Sequence, residues 1–165
     1  MTPLAPMGVT TYATPSDTEV VITRVVDAPR QLVFDVWTRP EHIRQWLLGP
    51  EGWTMPVCEL DLRVGGAWRY VWRKTDGGEM ELMGTVVEVT PPERFVTTER
   101  WGPEWPETRN AVSLHEVDGH TTITITITYP SREARDAALQ TGMKDGMEQG
   151  YARLDALLAT LQGRS

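Results

Sequence analysis

Six β-rich segments joined by short turns restrict the fold of this chain more than any other feature of its sequence. The predicted strands are 55–62, 67–73, 80–89, 94–101, 108–117 and 120–129. Their close spacing indicates an antiparallel meander, because parallel strands need crossovers of a dozen or more residues. A β-branched segment at Glu19–Val26 predicts a further strand, which would complete a seven-stranded sheet.

Helices are predicted on both sides of the meander. Pro29 and Pro40 stand at helix starts, which predicts two short helices after the first strand. Apolar residues from Leu139 to Leu161 recur three or four positions apart, which predicts one long amphipathic helix beginning near Ser131. Its apolar stripe has to be buried, and the concave face of a curved sheet is the available partner. We therefore predict an α+β fold in which the sheet wraps on a long C-terminal helix.

Length and composition restrict the class of protein. A chain of 165 residues is about one domain, and we assign residues 19–162 to it and 1–18 to a mobile N-terminal extension. The net charge of −7 argues against nucleic-acid binding. No window reaches the ~20 apolar residues of a membrane span. Cys58 is the only cysteine, which excludes an intrachain disulfide and fits a cytoplasmic location.

Three glycines lie at intervals of four residues within the predicted C-terminal helix. They are Gly142, Gly146 and Gly150. A glycine inside a helix costs roughly 1 kcal/mol relative to alanine. Such a series indicates either close approach of another backbone or space left free beside the helix.

Several motifs resemble a known superfamily when they are taken together. They are 28–34 (APRQLVF), 37–42 (WTRPEH), 60–68 (LDLRVGGAW) and 91–94 (PPER). In this order they resemble the SRPBCC (START-like) superfamily, and within it single-domain homologues of the activator of the heat-shock-protein-90 ATPase. The resemblance covers about residues 20–161. It implies the helix-grip fold, with a cavity between sheet and long helix that the superfamily uses for apolar ligands and sometimes for catalysis.

The Asp118-Gly119 turn predicts which residues of the last two strands face the helix. A two-residue loop there pairs Val117 with His120. Opposed residues share a face of the sheet. The predicted inner face then holds Val112, Leu114, Ile123, Ile125 and Ile127.

The turn at residues 75–78 gives a second inner face. A four-residue loop pairs Lys74 with Glu79, so that Trp72 opposes Glu81 and Tyr70 opposes Met83. The apolar set Trp68, Tyr70 and Trp72 is assigned inward, and it carries Glu81 and Met83 with it.

Two registers remain open across the Pro91-Pro92 turn. One places Val96, Thr98 and Arg100 inside, with Arg100 near Glu81. A shift of one residue places Phe95 and Trp101 inside instead.

These faces predict a small-molecule binding protein that holds an apolar or amphipathic ligand between the sheet and the C-terminal helix. Aromatic walls with a few polar groups are typical of such pockets. The candidate ligand-binding residues are Trp68, Tyr70, Trp72, Glu81, Met83, Arg100, Trp101, Val112, Leu114, Ile125, Met143, Met147 and Tyr151. We expect no metal site and no cofactor, and a homodimer is expected only because symmetric pairs are common.

Two alternatives stay open. One is an enzyme of the polyketide cyclase, dehydratase or hydrolase type in the same cavity, for which Glu81, Arg100 and Tyr70 are the only acid–base set. The other is a chaperone cofactor or protein-interaction module, which predicts an exposed apolar patch and no enclosed cavity.

Overall fold

One antiparallel sheet and four helices make up the described part of the chain. The computed structural model describes residues 6–48 and 51–163. Its strands are β1 Thr10–Ala13, β2 Glu19–Val26, β3 Trp53–Leu60, β4 Ala67–Lys74, β5 Glu79–Thr90, β6 Arg94–Trp101, β7 Thr108–Val117 and β8 His120–Thr128. Its helices are α1 Arg30–Thr38, α2 Pro40–Trp46, α3 Arg132–Leu139 and α4 Met143–Leu161. The spatial strand order is β1-β2-β8-β7-β6-β5-β4-β3.

The predicted fold class is confirmed, but the number of strands is wrong. The described sheet has eight strands rather than seven, because β1 lies within the segment assigned to a mobile extension. Tyr12 of β1 pairs with Ile22 of β2. The Tyr12 hydroxyl also donates to Glu148 Oε1 of α4 at 2.9 Å. These contacts hold residues 10–13 against the domain, while residues 1–5 of the predicted extension lie outside the described residues.

The predicted C-terminal helix is interrupted. It begins as expected, with Ser131 Oγ accepting a hydrogen bond from the Ala134 amide. It ends at Leu139, and α4 starts after Gly142, whose φ is +78°. A left-handed residue cannot continue a right-handed helix, and glycine adopts this conformation at little cost. The apolar stripe therefore runs along two consecutive helices.

The core occupies two clusters on the concave face of the sheet. The larger packs Leu154 and Leu158 of α4 against Ile22 and Ile123 of the central strands. The smaller joins α2 to the aromatic residues of β4. All these leucines and isoleucines are at most 2% exposed.

The register of the β7–β8 hairpin matches the prediction. Val117 pairs with His120, Leu114 with Ile123 and Val112 with Ile125. Asp118 and Gly119 both have positive φ, which is the conformation that a two-residue type I′ loop needs.

The predicted register of the β4–β5 hairpin is wrong by one residue. Trp72 pairs with Met80 and Val71 with Glu81. The Lys74 amide donates to the Gly78 carbonyl oxygen at 2.7 Å, so that Lys74 opposes Gly78 rather than Glu79 and the loop is one residue shorter than predicted. Because side chains alternate along a strand, this shift of one residue moves Glu81 to the outer face. Trp72 itself stays inside.

The β5–β6 hairpin adopts the second of the two registers left open. Phe95 pairs with Val112 on the inner face. Trp101 pairs with Leu82 and shares that face. The register that places Val96, Thr98 and Arg100 inside is therefore wrong. The pairing of β5 with β6 is irregular between Val86 and Glu88. The register beyond that point therefore differs from the one obtained by counting residues from the turn.

Candidate functional site

A cavity of about 540 Å³ lies between the concave face of the sheet and α4. Its volume falls within the range of roughly 300–1,000 Å³ typical of small-molecule sites. Residues of both core clusters line it. The aromatic lining residues are Trp37, Trp46, Trp68, Tyr70, Trp72, Phe95, Trp101, Trp105, Tyr129 and Tyr151.

The aromatic wall on β4 is held in place by ring contacts and by indole hydrogen bonds. The ring of Tyr70 lies 4.9 Å from that of Trp68 and 6.1 Å from that of Trp72, between centroids. The Trp72 indole N–H donates to the Leu47 carbonyl oxygen at 2.7 Å. The Trp68 indole N–H donates to the Thr98 carbonyl oxygen at 3.1 Å. With their N–H groups satisfied, these rings present apolar surface to the cavity.

Helix α4 and the loop before it form the opposite wall. Met143, Met147 and Tyr151 line the cavity as the helical spacing predicts. A Cβ added at Gly146 would meet no atom within 4 Å, whereas one at Gly150 would lie 3.6 Å from the Trp46 carbonyl oxygen. Both alternatives raised by the glycine series therefore hold. Gly150 allows close helix approach, and Gly146 leaves open space.

The most exposed lining residues mark an opening to solvent. Trp101 and Trp105 are 40% and 38% exposed, although both are large aromatic residues. Thr141 and Gly142, at the start of α4, are exposed as well. The opening therefore lies between the end of β6 with its following loop and the beginning of α4. Trp101 also stacks on Trp72, with 5.5 Å between ring centroids.

Glu99 is the carboxylate of this cavity, and the sequence analysis missed it. It lies on the inner face of β6, paired with Thr108 of β7. Its Oε1 accepts a hydrogen bond from the Trp101 indole N–H at 2.9 Å. Burial raises the pKa of Glu99 from 4.5 to about 7, against the opposite effect of that hydrogen bond. One feature of the sequence could have identified it. Phe95, Glu99 and Trp101 lie an even number of positions apart, so a strand that places Phe95 and Trp101 inside also places Glu99 inside.

A short polar strip surrounds this carboxylate. The Asn110 amide donates to Thr108 Oγ1 at 3.0 Å, and Thr108 Oγ1 donates to the Glu99 main-chain oxygen at 3.3 Å. Burial, and then the charge of Glu99, raise the pKa of Tyr129 to about 12. Burial, and then the charges of Cys58 and Glu99, raise the pKa of Tyr70 further. Both phenols therefore remain protonated at neutral pH and can donate hydrogen bonds.

The structure places most, but not all, of the predicted site residues at the cavity. The lining contains Trp68, Tyr70, Trp72, Trp101, Val112, Ile125, Met143, Met147 and Tyr151. Leu114 is instead buried in the core, at 3% exposed.

Three predicted site residues lie on the outer face of the sheet. Glu81 pairs with Arg69 there, with 2.5 Å between Oε2 and Nε. Met83 opposes Arg100 in the β5–β6 pairing, and both border an outer groove. Their assignment to the cavity is wrong because both hairpins have the other register. The acid–base set of Glu81, Arg100 and Tyr70 is therefore divided between two faces.

Other reactive groups contribute little to the site. Cys58 is buried, and burial raises the pKa of its thiol to about 11, so the reactive thiolate is scarce at neutral pH. Within residues 6–48 and 51–163, no group of three or more His, Cys, Asp or Glu side chains is arranged to hold a metal ion. No helix in the same ranges is long and apolar enough to cross a membrane.

Comparison with known proteins gives one family and a consistent fold. The family model described as Activator of Hsp90 ATPase homolog 1-like protein matches residues 27–159. No curated protein matches the chain. A solved structure from Rhodobacter sphaeroides is 30% identical, with a TM-score of 0.87, and covers 92% of this chain and 98% of that one.

Two further solved structures share the fold. A Mycobacterium smegmatis protein is 26% identical, with a TM-score of 0.80, and covers 91% of this chain and 97% of that one. A Nitrosomonas europaea protein is 23% identical, with a TM-score of 0.79, and covers 91% of this chain and 99% of that one. Together with the family match, they confirm the resemblance drawn from the sequence motifs.

Proposed function

Because this chain belongs to the family of Activator of Hsp90 ATPase homolog 1-like proteins, whose fold is compatible with ligand binding, we propose that it binds a small apolar or amphipathic molecule between the sheet and α4. The observation that carries this proposal is the cavity of about 540 Å³ with its aromatic and methionine walls. A protein-interaction module without ligand was expected to lack such a space. The cavity therefore supports ligand binding over that alternative.

The cost of keeping the space open supports the same proposal. Gly146 lies inside α4, where an alanine would be more favourable by roughly 1 kcal/mol. Nothing within 4 Å prevents a side chain there. Met143 and Met147 flank the same part of the helix and can adapt to ligands of different shape. Gly146 therefore keeps accessible volume at the expense of helix stability, as expected of a binding site.

Filling the cavity from α4 tests the proposal. Gly146→Leu is expected to weaken binding of the apolar fluorescent probe N-phenyl-1-naphthylamine at least about tenfold, because its side chain occupies the space that the probe needs. The same substitution is expected to raise the melting temperature, since leucine has a much higher helix propensity than glycine. Probe fluorescence and thermal unfolding measure the two effects.

Ala152→Leu is the matched control, because Ala152 is exposed on the same helix. It is expected to leave probe affinity unchanged. A wild-type protein that does not bind the probe, or a Gly146→Leu variant that binds it as well as wild type, would contradict the proposed site.

A further inference from the structure

The charges of the cavity lining restrict the chemistry of a ligand. Within the described residues, the lining has one carboxylate, that of Glu99, and no lysine, arginine or histidine. A ligand carboxylate or phosphate would lie near Glu99 without a cation to compensate it, which is unfavourable in a desolvated site. The aromatic lining has the opposite preference, since ring faces attract cations.

Hydrogen-bonding capacity in the cavity is only partly used. The Glu99 carboxylate has about four acceptor positions, and the Trp101 indole N–H is its one side-chain donor among the described residues. Tyr70 and Tyr129 are each 8% exposed. Both line the cavity, and in the described ranges neither hydroxyl makes a hydrogen bond. The polar end of the cavity can therefore accept donors from a ligand at Glu99 and supply hydroxyl groups beside it.

Among the described residues, the one buried basic side chain is that of Arg24, and it takes part in a different contact. Arg24 pairs with Asp155 of α4, with 2.5 Å between Nη2 and Oδ2, and its guanidinium lies over the Tyr151 ring at 5.4 Å from the centroid. It is absent from the lining, so Tyr151 separates it from the cavity. Arg24 thus anchors α4 to β2 and does not neutralise Glu99.

Building on the function proposed above, we infer that the ligand is an amphipathic amine. Its ammonium group donates to the Glu99 carboxylate, and its apolar body lies between the β4 aromatic wall and Met143 and Met147 of α4. Trp101 fixes the carboxylate that receives the amine. The aromatic rings around the polar end add attraction for the positive charge.

Three probes that share one naphthalene body test this inference. They are 1-naphthylmethylamine, which is a cation at neutral pH, 1-naphthylmethanol, which is neutral, and 1-naphthoate, which is an anion. Each is titrated to displace N-phenyl-1-naphthylamine from the protein at pH 8. We expect the amine to bind about ten- to hundredfold more tightly than the alcohol, because only the amine adds a positive charge to the hydrogen bond that it donates to the Glu99 carboxylate. The anion is expected to bind most weakly.

The Glu99→Gln variant tests whether the Glu99 carboxylate is responsible for the preference for the amine. The variant is expected to bind N-phenyl-1-naphthylamine and the alcohol as wild type does, and to lose the preference for the amine. Glu104→Gln is the matched control, because Glu104 lies in the exposed loop beside the opening and outside the lining. It removes the same charge and is expected to keep the preference.

The pH dependence of the preference for the amine over the alcohol is a second measurement that tests the role of Glu99. The other titratable groups facing the cavity are Tyr70 of β4, Tyr129 after β8 and Tyr151 of α4, and burial raises the pKa of each. Glu99, with a pKa of about 7, is therefore the group that ionises near neutral pH. The preference of wild type for the amine is expected to grow between pH 6 and pH 8, and that of Glu99→Gln to stay flat.

The outcomes separate this inference from the function it rests on. If N-phenyl-1-naphthylamine binds and the amine shows no preference over the alcohol, or keeps its preference in Glu99→Gln, the inference is overturned and the binding function stands. If none of the four probes binds, both are overturned.

Discussion

Replacing Glu99 with glutamine is expected to raise the free energy of unfolding at pH 8 by about 1–3 kcal/mol and to change it little near pH 4. The pKa of this carboxyl is 4.5 when solvated and about 7 in the folded protein. Between pH 4.5 and about pH 7, the carboxyl therefore keeps its proton in the folded state and loses it in the unfolded state. The free energy of unfolding consequently falls as the pH rises through this range. Glutamine has no such charge and can still accept the hydrogen bond from Trp101.

Urea unfolding of wild type and variant at pH 4, 6 and 8 measures this effect. Glu81→Gln is the matched control, because it removes a strand carboxylate on the outer face, where the pair with Arg69 is half-exposed. An exposed pair of this kind contributes at most about 1 kcal/mol. A Glu99→Gln variant that is less stable than wild type at pH 8 would mean that the carboxylate is a structural group. If the neutral glutamine instead makes the protein more stable, the carboxylate is kept at a cost in stability, which is typical of a functional residue.

Gly84→Ala is expected to destabilise the protein by about 3 kcal/mol, near the upper end for overpacking a sheet. A Cβ at this position in β5 would overlap the Thr98 carbonyl oxygen and lie 2.8 Å from the Trp68 indole nitrogen. The Trp68 indole reaches across β5 to donate to that same oxygen. An alanine therefore clashes with backbone and also displaces one wall of the cavity.

Gly78→Ala provides the comparison. Gly78 immediately precedes β5, and its φ is not positive. A Cβ added there would have the Asp76 carboxylate as its nearest neighbour at 3.3 Å, and that side chain can move. We expect a change below about 0.5 kcal/mol there, as for most surface substitutions. Equal effects of the two substitutions on urea unfolding would show that the tight packing at Gly84 is unimportant.

The fold could be predicted because its signals are local. Asp118-Gly119 forms a two-residue loop, and both positions adopt the positive φ that fixes the register of β7 and β8. The five apolar residues predicted to face inward in that hairpin followed from this one turn, and all five are buried. The helical apolar stripe likewise identified Met143, Met147 and Tyr151 as lining residues.

The polar part of the site could not be predicted in the same way. Gly77 and Gly78 are compatible with loops of three or four residues, and one residue decides whether Glu81 faces the cavity or solvent. The irregular pairing near Val86 similarly obscured the register of β6, and with it Glu99. A count along one strand cannot detect such an irregularity, because the partner strand determines it. Sheet registers therefore limited the prediction of the site more than element assignment did.

Nuclear magnetic resonance offers the most direct test of whether the space between the sheet and α4 takes a small molecule. The chain has seven tryptophans, each with one indole N–H signal in a proton–nitrogen correlation spectrum. All of them line the cavity except Trp53. On addition of N-phenyl-1-naphthylamine, the signals of Trp68, Trp72 and Trp101 are expected to shift while that of Trp53 stays in place. A shift confined to Trp53 and surface amides, or no shift at saturating probe, would contradict the assignment of the cavity as the binding site.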